Sequence, residues 1–166
     1  MTEKTPSDWI TKIEDLLELT NEAQEFVQRA SETFPRAIAT HAMAVARLWQ
    51  QANSLDEQIY ALLNEMNLRL LNGQGQIAMT RGASTRPLMV GVVDEDLLFY
   101  ECTWTLSWDG EIHGIMMQLS VEPQMESYHV QVKNFTPMRP QDIRYPIEGD
   151  HLKEALAKVY LTEVSY

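Results

Sequence analysis

The amino-acid sequence predicts an α+β fold, and three observations support this prediction. Apolar residues recur at helical spacing through the first 72 residues, strand-like segments follow, and a further helical segment comes after them. Helices first and strands afterwards are typical of α+β domains rather than of alternating βαβ units. Because the strand-like segments lie close together in sequence, we expect an antiparallel meander of about four to five strands.

The length of 166 residues fits one domain. We expect residues 1–166 to form this single domain, in three parts. Residues 1–72 make up the helical part, 73–87 a connecting loop, and 88–166 the antiparallel sheet together with a C-terminal helix.

The first 72 residues predict either a helical hairpin or a three-helix unit. Thr5 is a helix cap followed by proline, and Pro35 is expected to end the first helix. A second helix then begins near residue 38. Whether it continues depends on Asn53 and Ser54, since Ser54 and Glu57 form a capping box that favours the start of a third helix. The apolar stripe of the first helix contains Trp9, Ile13, Leu16, Ala23, Val27, Ala30 and Phe34.

Residues 73–87 are rich in Gly, Ser and Thr, which favours a connecting loop with a short strand at 77–80. Gly149 and Asp150 are expected to open the last helix. The strands are predicted at 88–93, 97–108, 111–121 and 128–135, with a weaker one at 143–147.

The stretch WTLSWDGEIHGIMMQLS, residues 104–120, predicts a β-hairpin. Asp109-Gly110 between two alternating runs favours a two-residue turn, because both central positions of that turn need positive φ. This turn pairs Trp108 with Glu111, Leu106 with His113, and Trp104 with Ile115. We expect the helices to cover the face that carries Trp104, Leu106, Ile115 and Met117, since a one-residue slip would expose the tryptophan.

The same stretch holds a carboxylate–histidine cluster of Asp109, Glu111 and His113, which has a catalytic appearance. Turn chemistry explains Asp109, Glu111 lies at the mouth of the hairpin, and His113 has no visible second partner. Cys102 falls on the predicted core face, where a cysteine behaves as a small hydrophobe. The four histidines lack metal-ligand spacing. We therefore predict no catalytic residue, no metal site and no cofactor.

Two groups of residues are candidates for binding. In the first, an aromatic-lined pocket between helices and sheet is formed by Tyr100, Trp104, Trp108, Glu111 and His113. In the second, a locally basic loop binds an anion or a partner through Arg81, Ser84, Thr85 and Arg86. The alternative for this loop is a linker whose arginines pair with nearby acids, such as those at 94–96.

The net charge of −11 argues against nucleic acid and against an anionic membrane surface as partners. No stretch approaches the roughly 20 apolar residues of a membrane span. The first 20 residues carry acids and no long apolar run, so we expect no signal peptide. A single cysteine allows no disulfide within the chain, which favours a reducing cytoplasm.

From these patterns we expect a non-enzymatic soluble protein that binds another macromolecule, as an adaptor, small chaperone or assembly factor. A protein is the expected partner, and the long amphipathic N-terminal helices favour a homodimer formed through them. The alternative is a small-ligand-binding protein, or an enzyme of unrecognised class, that uses the aromatic-lined pocket. A pocket open to His113 favours the alternative, whereas a solid core with an exposed apolar helix stripe favours the protein partner.

Overall fold

Two N-terminal helices, an antiparallel sheet and a C-terminal helix follow one another along the chain, which confirms the α+β prediction. The computed structural model describes residues 8–87, 96–135 and 139–165. The helices are α1 (Asp8–Thr33), α2 (His41–Leu70) and α3 (His151–Val164). The strands are β1 (Gln76–Pro87), β2 (Asp96–Trp108), β3 (His113–Glu122), β4 (Ser127–Asn134) and β5 (Gln141–Ile143).

Residues 8–70 form two helices rather than three. Pro35 lies just beyond α1, as predicted, whereas the boundary expected near Asn53 is absent and α2 runs without a break. The Ser54 hydroxyl donates to the carbonyl of Gln51 at 2.7 Å, so it does not cap a new helix. The proposed cap at Thr5 falls outside the described residues.

The short strand predicted at 77–80 lies within the edge strand β1, which extends from Gln76 to Pro87, so the rest of 76–87 is strand where a connecting loop is predicted. This strand pairs with β2 along its whole length, from Gln76 opposite Ser107 onwards. Gly, Ser and Thr have a local preference for loops, but pairing with a neighbouring strand outweighs that preference. The strand predicted at 88–93 falls outside the described residues.

The five strands form one sheet in the order β1-β2-β3-β4-β5, and every neighbouring pair is antiparallel. This is the predicted meander. The weak strand predicted at 143–147 lies a few residues too late, since β5 ends at Ile143. The last helix follows Gly149 and Asp150 as expected.

The hairpin at Asp109-Gly110 exists, but its connection has four residues instead of two. Asp109, Gly110 and Glu111 have positive φ of 59°, 67° and 68°. The predicted register is therefore wrong by two residues. The observed pairs are Trp108 with His113, Leu106 with Ile115, and Trp104 with Met117. An even shift leaves every side chain on its predicted face.

The apolar face of β2 and β3 is buried against α2 and α3, as the alternation predicts. Trp104, Leu106, Ile115 and Met117 are all buried. The indole N–H of Trp104 donates to the carboxylate of Asp56 on α2 at 2.9 Å. Burial of this face supplies the main stabilisation of the fold, because apolar area removed from water contributes about 25 cal/mol per Å².

Candidate functional site

The two aromatic residues at the centre of the predicted pocket are buried in the core instead of lining an open pocket. Tyr100 is 0% exposed and Trp104 is 1% exposed. The Tyr100 hydroxyl lies 3.2 Å from Nδ1 of His41 on α2. Burial raises the pKa of Tyr100 to about 12 and lowers the pKa of His41, since both charged forms are disfavoured away from water. These side chains tie α2 to the sheet.

His113 and Trp108 lie together at the end of the β2–β3 hairpin, next to a residue that sequence reasoning missed. His113 Nδ1 is 3.0 Å from Oε1 of Glu163 on α3, and the Gly114 N–H donates to the same oxygen at 3.4 Å. Glu163 is 0% exposed. The Trp108 ring stacks on the His113 ring with centroids 6.2 Å apart, and Tyr160 packs against Trp108.

A sequence signal for Glu163 does exist. Leu152, Leu156, Val159 and Glu163 follow at intervals of three or four residues, so all four fall on one face of α3. An acid that continues an apolar stripe is expected to be buried, and a buried acid needs a partner. The sequence does not reveal that this partner is His113, 50 residues earlier.

In this cluster the buried carboxylate of Glu163 orients the His113 ring through its contact with Nδ1. Glu111 is exposed in the hairpin connection and lies outside the cluster.

Cys102 is buried, and burial raises its pKa to about 12, so the thiol stays protonated near neutral pH. Within the ranges 8–87, 96–135 and 139–165, no three His, Cys, Asp or Glu side chains converge as metal ligands.

The second predicted group, Arg81 to Arg86, lies on β1 and is divided between the two faces of the sheet. The Arg81 guanidinium lies 4.3 Å over the ring of Trp49 on α2. Ser84 and Arg86 lie on the face of the sheet that points away from the helices, which we call the outer face. Thr85 is exposed. Because side chains alternate along a strand, the four residues do not form a single cradle.

The charged and polar side chains of the outer face pair with one another in a network across four strands. Arg86 donates to Glu101 at 3.0 Å and to Gln118 at 3.3 Å, while Ser84 donates to Glu101 at 2.5 Å. Lys133 on β4 donates to the same oxygen of Gln118 at 3.2 Å. The acid that pairs with Arg86 is therefore Glu101, on the adjacent strand. This network satisfies the polar groups that an anion would otherwise bind.

An open groove of about 440 Å³ lies between α2 and α3, and none of the five predicted pocket residues lines it. We call it the α2–α3 groove. Glu65 and Lys153 are its charged lining residues, and both are exposed. Its apolar walls are formed by Leu62, Met66 and Leu70 of α2 and by Leu156, Ala157, Tyr160 and Leu161 of α3.

The first half of α1 carries a second apolar surface, which we call the α1 stripe. It consists of Trp9, Ile10, Ile13 and Leu17, all of which are exposed, with 63% exposure for Trp9 and 59% for Leu17. The buried residues of this helix, Ala23 and Val27, belong to its second half. Exposed apolar side chains that lie this close together are typical of an interaction surface.

No family model, curated protein or solved structure matches this chain. Within the described ranges, none of the helices has the length and apolar character needed to cross a membrane. The function is therefore inferred from the groove, the stripe and the His113–Glu163 cluster.

Proposed function

We propose that this chain is a protein-binding module of the adaptor, small chaperone or assembly-factor kind, without a catalytic step of its own. The observation that carries the proposal is the α2–α3 groove, because its walls are apolar and open while the core beside it is closed. An apolar groove between two helices suits the apolar face of a third helix, which presents anchors at i, i+3 or i+4, and i+7.

The groove also sets the size of its occupant. Leu62, Met66 and Leu70 are spaced by four residues, so they form one row on α2. That row covers nine residues, or eight helical rises, which amount to about 12 Å. We propose that the occupant is an amphipathic helix of two to three turns.

We further propose that the protein works in the cytoplasm and forms a homodimer through its N-terminal helices. The single cysteine, buried at position 102, suits a reducing compartment. The α1 stripe supports self-association, since its four large apolar side chains are exposed to solvent.

Photo-cross-linking from inside the groove tests the protein-binding proposal. A photoreactive amino acid at Ala157, an exposed groove residue, is expected to give a discrete protein adduct in cells that express the full chain. Leu70→Glu is expected to abolish the adduct by placing a charge on the apolar wall. Leu68→Glu is the matched control, because Leu68 is an exposed leucine of the same helix that does not line the groove.

The protein identified in the adduct is then purified and tested for direct binding to the purified chain. A peptide that spans the cross-linked segment should bind the purified chain at one-to-one stoichiometry and gain helical circular dichroism. An adduct that survives Leu70→Glu unchanged, or a segment that binds without becoming helical, would contradict the proposal.

A second candidate function is small-ligand binding or catalysis at His113, and the observation that favours it is the buried Glu163 carboxylate behind the ring. The side chain of His113 is 31% exposed, so a ligand can reach it. Titration of carboxylate and aromatic fragments should then produce saturable NMR shifts at His113 and Trp108. Shifts that are absent, or that are unaltered by Glu163→Gln, count against this candidate.

A further inference from the structure

We infer that the outer face of the sheet carries a binding site for a small organic cation, an alkylammonium compound, whose charge is bound by the carboxylate of Glu122. Glu122 is the last residue of β3, and only 5% of its surface is exposed. Within residues 8–87, 96–135 and 139–165, its carboxylate takes part in no hydrogen bond or ion pair. A buried acid without a partner is costly to the fold, so its presence calls for a ligand.

The alternation of side chains along β3 places this carboxylate on the outer face. Gln118 lies on that face, because it accepts a hydrogen bond from Arg86. Ser120 and Glu122 follow Gln118 at intervals of two residues, so they take the same face. Val121 between them points to the helix side, where it lines a small pocket together with residues of α2. The site therefore lies on the opposite side of the sheet from the helices, and the inference does not depend on the proposed function of the α2–α3 groove.

Two aromatic rings cover the row of side chains next to Glu122. Phe99 on β2 and His129 on β4 contact each other with ring centroids 5.8 Å apart, although β3 lies between their strands. Ser120, which pairs with His129 in the register, is buried beneath them, and Phe99 is buried as well. The wall beside the acid is therefore aromatic.

The aromatic wall and the acid together suit a cation. Phe99 comes level with Glu122 in the register of β2 and β3. The Phe99 ring already attracts one cation, since the guanidinium carbon of Arg86 lies 4.4 Å from its centroid. Arg86 is paired with Glu101 at 3.0 Å, so its charge is not available to Glu122. A carboxylate beside an aromatic ring is the combination that recognises ammonium groups.

The opening to Glu122 limits the size of the ligand. Among the described side chains, the amide nitrogen of Asn134 is the one polar atom that is both fully enclosed and without a partner. The Glu122 oxygens also lack a partner, so they keep a narrow opening to solvent. An opening of this size admits a primary ammonium on an alkyl chain. A divalent metal ion fits less well, because no three acidic, His or Cys side chains of the described ranges converge as ligands.

Titration of the full chain with n-butylammonium, followed by NMR, tests the inference. The expected result is a saturable shift of the backbone amides of Phe99, Ser120 and Glu122. The neutral n-butanol and the anionic butyrate have a similar shape and should not produce it. Glu122→Gln should weaken n-butylammonium binding at least about tenfold, because it removes a charge-assisted hydrogen bond.

Glu111→Gln is the matched control. It removes the same charge from an exposed acid in the β2–β3 connection, at the other end of β3, and should bind n-butylammonium like the wild type. Glu122→Gln should also raise the melting temperature of the ligand-free chain by about 2–4 °C, since it removes an unpaired buried charge. This measurement shows at the same time that the variant is folded.

Four results would each overturn the inference. The wild type shows no saturable shift with n-butylammonium, or n-butanol or magnesium chloride alone shifts the same amides to the same extent. Glu122→Gln binds n-butylammonium as tightly as the wild type does. Glu111→Gln weakens binding as much as Glu122→Gln. Glu122→Gln lowers the melting temperature of the ligand-free chain, which would mean that the acid supports the fold instead of a ligand.

Discussion

The covered face of the sheet and the α2–α3 groove are both apolar, yet only the first is covered by the rest of the described chain. Trp104 and Leu106 lie under helices, whereas Leu70 and Leu161 stand open on helices of the same domain. The contrast shows that an apolar stripe in a sequence predicts burial, but does not say whether the same chain or a partner buries it. Substitutions on the covered face should therefore lower stability, and substitutions in the groove should lower association.

The largest effect is expected from Trp104→Ala. It removes a fully buried ring and leaves the Asp56 carboxylate without its indole donor. We expect a loss of about 3–5 kcal/mol in the free energy of unfolding. Urea denaturation followed by circular dichroism measures it, and a loss below about 1 kcal/mol would mean that this face is not the main core.

A smaller loss is expected from Glu163→Ala, which removes the acceptor of His113 and of the Gly114 N–H. Leaving buried donors without a partner costs about 1–3 kcal/mol. Glu163→Gln keeps an acceptor oxygen and should lose less. Equal losses in the two variants, by the same denaturation measurement, would show that the hydrogen bonds contribute little.

The buried His41 predicts a pH dependence of stability with a defined sign. Burial lowers its pKa in the folded state, so the unfolded chain binds the proton more readily. Stability from this group is complete above the unfolded pKa of about 6.5 and declines as pH falls below it. His41→Gln should flatten the unfolding free energy between pH 7 and the lower pKa, and an unchanged slope would contradict the assignment.

The smallest effect on stability is expected in the groove. Leu70 is half exposed, at 49%, so Leu70→Ser should change the unfolding free energy of the isolated chain by less than about 0.5 kcal/mol. Thermal unfolding at a concentration too low for association measures this change. A loss comparable to that of Trp104→Ala would show that the groove wall belongs to the core.

The sequence predicted the sides of the sheet correctly and the hairpin register incorrectly, for one physical reason. Alternation decides which face a side chain takes, and this alternation survives any even shift. The length of the connection depends on how residues after the turn pack, and Ile112 is exposed there instead of joining β3. Turn propensity at Asp109-Gly110 locates the bend without fixing its length.

The candidate sites were less predictable, because each depends on contacts between distant segments. Glu163 reaches His113 across 50 residues, and the groove joins the end of α2 to α3. Leu62, Met66 and Leu70 follow the spacing of a core stripe, and the sequence carries no signal that part of this stripe stays open. The basic segment from Arg81 to Arg86 forms one site only if it is a loop, because the alternation of side chains along a strand places Arg81 and Arg86 on opposite faces of the sheet.

Hydrogen exchange at increasing protein concentration tests most directly the claim that the apolar surface outside the core is an interface. Amides at 8–20 in α1 belong to a segment with little packing of its own, so they should exchange quickly in dilute solution. We predict that their protection rises with concentration, while that of β2 and β3 stays high and constant. Protection at 8–20 that is independent of concentration and of any added partner would contradict the account.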